Sequence, residues 1–164
     1  MGKLLAFPIQ TEANIIEYLK EKLKDIKLYN SNNELVELNY FKGYIPKKKV
    51  DGDETEFPYI LLRYIKDSQT MENGAYHGTI EWNILIGIYN ENVDGYHEGI
   101  QVADKIKRLF MQKPVINAKF AIIQNSFDSY NLSDEYTEMN GDYHLFGLKF
   151  QTYQATYQPN DLEE

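Results

Sequence analysis

Apolar residues Ile15, Leu19, Leu23 and Ile26, with Ile16 beside them, recur at helical spacing. Glu17, Lys20, Glu21, Lys22 and Lys24 fill the opposite face. The pattern predicts a helix over residues 11–26, with Thr11 as its cap and Glu12 in the first turn, where a carboxylate suits the positive end of the helix dipole. Asn30-Ser31-Asn32-Asn33 reads as a turn. Residues 35–45 are predicted as one extended strand stopped by Pro46. Over residues 59–65 the apolar run is nearly continuous, as expected of a central strand covered on both faces. Residues 67–74 read as a loop. Residues 76–89 are the clearest strand: Ile80, Trp82, Ile84, Ile86 and Ile88 fall on one face, and Thr79, Glu81, Asn83, Leu85 and Gly87 on the other. At about 3.3 Å per residue that strand spans roughly 46 Å, long enough to project beyond a small sheet as a hairpin arm.

Residues 96–111 predict a second helix, with Ile100, Ala103, Ile106, Leu109 and Phe110 as its apolar stripe. Gln101, Asp104, Lys105, Lys107 and Arg108 face water, and Pro114 lies beyond the end. A short strand at 118–123 follows, then a long polar connection at 125–140 carrying Phe127 and Tyr130. The last predicted strand is 142–157, with Phe146, Leu148 and Phe150 on one face. This order describes an α+β fold: a mostly antiparallel sheet of about five strands with two helices packed on one face. Trp82 is expected to be buried between sheet and helices. A single domain over 1–164 is expected, with a flexible arm at about 46–58 and a frayed tail at 158–164.

Composition narrows the chemistry. Lys and Arg total 17 and Asp and Glu 25 in 164 residues, a net charge of −8. That balance disfavours a protein that grips phosphates, and no sequence-specific nucleic-acid binding is expected. The absence of cysteine excludes a disulfide scaffold, a zinc-thiolate site, an iron–sulfur cluster and a thiol nucleophile. No apolar run approaches the roughly 20 residues of a membrane-spanning helix. The first apolar run stops at Pro8, too short for a signal peptide, so the chain reads as made and kept in the cytoplasm. Dinucleotide, P-loop and nucleophile-elbow glycine motifs are missing.

The histidines are His77, His97 and His144. His97-Glu98 begins like a metalloprotease helix, but residue 101 is Gln. His77 and His144 are candidates for cross-strand neighbours, though two histidines still need a third ligand. Asp51-Gly52-Asp53-Glu54-Thr55-Glu56 resembles a calcium loop, but the sixth position is Glu56 and the twelfth Leu62, where Gly and Glu are required. No catalytic residue, metal or cofactor is expected.

What remains points to an interface. The chain carries fourteen tyrosines against eight phenylalanines. Tyrosine gives large contact area with few rotors and is enriched in interface cores. Tyr76, Tyr89, Tyr96, Tyr130 and Tyr136 sit in predicted loops or at element ends, where packing alone accounts for them less well. Lys47-Lys48-Lys49 followed by Asp51, Asp53, Glu54 and Glu56 makes a segment basic at one end and acidic at the other. Such a segment suits docking between copies of one subunit.

Phe57-Pro58-Tyr59-Ile60-Leu61-Leu62-Arg63-Tyr64 resembles the "P-Y-apolar-apolar-apolar-R" strand of tailed-phage tail terminator and head–tail joining proteins. The long strand that follows, the helix with Val102-Ala103-Asp104-Lys105-Ile106-Lys107-Arg108-Leu109, and a last strand with Phe146-Gly147-Leu148-Lys149-Phe150 are similar to that family's order. The resemblance implies a non-enzymatic virion protein that forms a hexameric ring, caps the tail tube and docks to the head connector. It implies assembly in the host cytoplasm and residence in the virion. Two alternatives from other classes are an acidic DNA-mimic inhibitor of a DNA-binding enzyme and an α+β enzyme.

Overall fold

The computed structural model describes residues 6–46, 56–132 and 141–156. The elements run α1 (Phe7–Lys22), β1 (Lys27–Tyr29), β2 (Leu35–Glu37), β3 (Asn39–Lys42), β4 (Tyr59–Glu72), β5 (Ala75–Tyr89), α2 (His97–Gln112), β6 (Val115–Ile116), β7 (Phe120–Ile122), β8 (Asp128–Asn131) and β9 (Tyr143–Ala155). The fold is α+β. Its main sheet has seven strands rather than about five, in the order β3-β4-β5-β9-β7-β6, with β8 also pairing β9. β1 and β2 form a separate two-stranded ribbon.

Direct pairing places Ile84 opposite Leu148, Ile86 opposite Phe146 and Trp82 opposite Phe150, so these side chains share one face. Ile15, Leu19 and Leu23 of α1 and Val102, Ile106 and Phe110 of α2 join them in one buried cluster. Both helices therefore lie on that face, and Tyr18 stacks on Phe110 where they meet. Trp82 is fully buried, as its place on the isoleucine face predicts. The other face carries a smaller cluster built around Phe57, Tyr59, Leu61 and Tyr89.

Several boundaries differ from the periodicity. α1 begins at Phe7, four residues before the expected cap, because Pro8 sits in its first turn, where proline costs no hydrogen bond. Thr11 is buried inside the helix and donates back to the Phe7 carbonyl at 3.0 Å instead of capping. The single strand expected over 35–45 splits at Leu38, whose side chain enters the core while β2 and β3 go to different sheets. β3 pairs with β4 in parallel, Asn39 opposite Tyr59 through Lys42 opposite Leu62. A parallel pair needs a crossover of a dozen or more residues. The long polar insertion between Lys42 and Tyr59 is that crossover.

The loop expected at 67–74 is strand. β4 continues to Glu72, and Asn73 and Gly74, at φ 53° and 78°, make the two-residue turn into β5. Two successive left-handed residues suit the twist of an antiparallel hairpin, and Asn-Gly is the pair that adopts them most readily. Within the connection expected at 125–140, residues 128–131 form β8 and pair with Phe146–Lys149 of β9.

Candidate functional site

The long hairpin does not stand out as a two-stranded arm. β9 accompanies β5 from Tyr89 opposite Tyr143 down to His77 opposite Ala155. What is open is the other side. β3 leaves β4 after Leu62, where the Gly43 amide donates to the Leu62 carbonyl at 2.8 Å. From Arg63 to Glu72 no described strand covers the outer edge of β4. A bulge between Tyr64 and Lys66 resets the pairing with β5, which runs Lys66 to Glu81 through Glu72 to Ala75. A two-residue hairpin closes on a hydrogen-bonded pair, here Glu72 and Ala75. By alternation Ser68 and Thr70 also bond inward, while Asp67, Gln69 and Met71 turn their N–H and C=O groups outward. Ile9, Tyr64, Ile65 and Met71 are large exposed apolar side chains along this margin. A groove of about 350 Å³ lies between the start of α1 and β4, lined by Pro8, Ile9, Glu12, Tyr64 and Asp67. Tyr64 donates its hydroxyl to Asp67, fixing the groove's wall.

A second, unlike face lies beyond β9. A groove of about 420 Å³ runs between α2 and β8, walled by Tyr96, Ile100, Asp104, Lys107 and Tyr130, with Phe146 and Gly147 below. Ile100, expected in the apolar stripe of α2, is 50% exposed in this groove; Gly99, Val102 and Ala103 face the sheet instead. Tyr130 lies across Gly147, where a Cβ would fall 2.2 Å from its ring. Its hydroxyl donates to Asn83 Oδ1 at 3.0 Å, and the Lys149 ammonium sits 5.3 Å over its ring.

A polar cluster closes the end of the sheet near α2. Asn90 is buried and donates through Nδ2 to Glu98 Oε1 at 2.6 Å. Glu98 Oε2 and His144 Nε2 are buried with no hydrogen-bond partner among the described residues. Burial raises the Glu98 pKa, partly offset by the bond from Asn90. Burial lowers the His144 pKa, opposed by a hydrogen bond to the Asn90 backbone and by Asp142. A histidine whose pKa is lower folded than unfolded binds fewer protons in the native state, so it adds stability at neutral pH that is lost as the pH falls below the ordinary histidine range. Unfolding by urea at pH 7.5 and pH 5.5 should show a smaller acid-side loss for His144→Asn than for the unmodified chain. Equal losses would place the His144 ring in water. Glu98 titrates with the opposite sign in both proteins and cancels in that comparison.

His77 and His144 are not neighbours. His77 pairs with Ala155 and stacks on Tyr153, while His144 pairs with Ile88 at the other end of the same ladder. Among the described residues no three His, Asp or Glu side chains converge on a metal position. Of the interface candidates, Lys47, Lys48, Lys49, Asp51, Asp53, Glu54 and Tyr136 lie outside the described residues. Tyr130 borders the α2–β8 groove, and Tyr76 sits half-buried opposite Met71 at the end of the ribbon. Tyr89 is buried in the second cluster. Its pKa is pushed up to about 12, chiefly because it donates its hydroxyl to Glu91 at 2.6 Å. Phe57 and Pro58, at the end of the expected arm, are buried, so the arm is anchored there. The periodicity misses the β4 edge, which no described strand covers, and the exposed Ile100; the Asn73-Gly74 pair is the signal for the former.

Among the described residues no helix is long and apolar enough to cross a membrane. No family model matches the sequence, and no curated protein matches it. Solved structures do match; one is 13% identical over 93% of this chain and 94% of its own, with a TM-score of 0.41, a likeness too loose to carry an argument.

Proposed function

We propose that this chain is a non-enzymatic structural subunit of a tailed-phage virion, a ring-forming tail terminator or head–tail joining protein that caps the tail tube and docks to the head connector. One observation carries the reading: two unlike exposed faces on opposite sides of β5, the β4 margin with Tyr64 and Ile9, and the α2–β8 groove with Ile100 and Tyr96. A ring is built from heterologous contacts, in which one patch of each copy meets a different patch on the next. Exposed aromatic and aliphatic anchors beside a groove are the side chains that dominate such contacts. The net charge of −8 suits a lumen through which DNA passes without adhering. The protein would assemble in the host cytoplasm as a hexamer and remain in the virion, with the tail tube and head connector proteins as its partners.

The test is Ile100→Glu. Because Ile100 is half-exposed, the substitution should leave the melting temperature within a few degrees of the unmodified value. Loss of a central anchor should weaken ring formation on purified tail tubes by about thirtyfold, read by sedimentation and negative-stain imaging. An unmodified protein that forms no ring on tail tubes at any concentration would remove the proposal, and an unaffected Ile100→Glu ring would remove the groove from it.

A further inference from the structure

An unpaired strand edge is a template for another strand, and soluble proteins cover or blunt it. The edge of β4 from Lys66 to Glu72 is neither covered by a described strand nor interrupted by proline. We propose that in the free protein this edge pairs antiparallel with the β4 edge of a second copy, Lys66 of each opposite the partner's Glu72. The inference does not rest on the ring reading: the dimer uses the same β4 margin, so it belongs to the free protein and must open before that margin can enter a ring contact.

The register follows from which groups face outward. Hydrogen-bonded pairs across the new ladder must join Asp67, Gln69 and Met71 of one copy to the same set of the other. Five alignments do this. Met71 opposite the partner's Met71 has the shortest overlap and leaves Lys66 and Asp67 without a strand partner. Asp67 opposite the partner's Asp67 sets like charges face to face, which destabilises a sheet pair. Ser68 opposite the partner's Ser68 leaves Glu72 against the partner's Tyr64 and makes no ion pair. Thr70 opposite the partner's Thr70 shortens the overlap and turns Ser68 toward the partner's Glu72. Gln69 opposite the partner's Gln69 instead gives two Lys66–Glu72 pairs, two Ser68–Thr70 pairs and a central amide pair.

The two faces of the strand support this last alignment independently. Lys66 and Glu72 lie six residues apart on the same face, the one shared with Glu81, whose Oε1 is 3.6 Å from Lys66 Nζ. Each Lys66 would thus sit between its own Glu81 and the partner's Glu72. On the opposite face, the partner's Met71 comes opposite Asp67. Asp67 lines the groove formed with Pro8, Ile9 and Tyr64. Met71 is 57% exposed in the single chain, and a flexible thioether side chain fills an irregular apolar gap of this kind. The contact is isologous, so it closes on itself as a dimer and covers the β4 edge from Lys66 to Glu72 in both copies. The α2–β8 groove lies on the far side of β9 and stays open in both copies.

The natural absence of cysteine gives a clean background for the test. Gln69→Cys, Ser68→Cys and Asp67→Cys are each oxidised under mild conditions in the full chain, with exposed Gln112→Cys on α2 as a control. Residues facing themselves in a hydrogen-bonded pair lie about 5.5 Å apart at Cα, within disulfide reach. Gln69→Cys should give a covalent dimer in severalfold higher yield than the other three. By sedimentation at low salt, Lys66→Glu should weaken the dimer about tenfold, and Lys66→Glu with Glu72→Lys should recover part of that loss, the rest being repulsion from Glu81 of the same chain. A chain that stays monomeric at high concentration, a dimer cross-linked best through Ser68→Cys or Asp67→Cys, or a charge swap that recovers none of the loss would each overturn the pairing. Ile100→Glu should leave the Gln69→Cys yield unchanged, which separates this contact from the ring.

Discussion

Trp82→Ala should lower the free energy of unfolding by about 3–5 kcal/mol, the range for removing a large buried aromatic. Three features put it toward the top of that range. Trp82 is 1% exposed and faces Phe150 across the ladder, in the layer where α1 and α2 meet the sheet. A cavity there is walled by β-strands on two sides, which relax poorly. Its indole N–H also donates to Thr152 Oγ1 at 2.9 Å, and Thr152 is itself fully buried. Truncation therefore leaves a hole and strips a buried hydroxyl of its donor. Trp82→Phe separates the two effects: it keeps most of the bulk and should cost about 1–3 kcal/mol, the share belonging to the lost bond and the smaller ring. Urea denaturation measures both. The native chain should also emit as a dehydrated tryptophan; emission at the wavelength of exposed indole, or a Trp82→Ala cost below about 1 kcal/mol, would contradict the burial.

The burial of Trp82 is legible in the sequence because period-2 alternation along β5 is enforced by burial on the helix side. Where burial does not act, the alternation vanishes and the sequence says little. Residues 63–72 of β4 are exposed on both faces except for the half-buried Asp67. They stay extended because β5 pairs with them and because Asn73-Gly74 closes the turn. Polar composition alone reads there as loop. β8 is the same case on a smaller scale: Asp128, Ser129 and Asn131 are exposed, and the strand is held by β9 and by the single anchor Tyr130. The β4 edge is thus invisible to hydrophobic patterning for the same reason that it is available to a partner.

The tyrosine excess has a partly internal explanation, which leads to the second large effect. Tyr59 and Tyr130 lie over glycines of the neighbouring strands, Gly87 and Gly147, where the missing side chain makes room for a ring. Gly87→Ala should therefore cost about 1–3 kcal/mol, as overpacking does. Strand propensity argues the other way, since replacing an interior glycine by alanine normally gains roughly 0.5–1 kcal/mol. Geometry decides the sign. A Cβ on Gly87 would lie 2.1 Å from Tyr59 Cε1 and 2.5 Å from Cζ. The ring has little space to yield, because Phe57 meets it edge-on at 5.0 Å and Phe41 at 6.1 Å. Gly87→Val, with two further methyls in the same place, should cost more than Gly87→Ala. Relief should come from shrinking the ring: in Gly87→Ala with Tyr59→Leu, the combined loss should fall short of the sum of the two single losses by on the order of 1 kcal/mol. Thermal or urea melts of the four proteins give the coupling directly. Strict additivity would mean that Gly87 and Tyr59 do not touch, and a stabilised Gly87→Ala would mean that the second face of the sheet is open rather than packed.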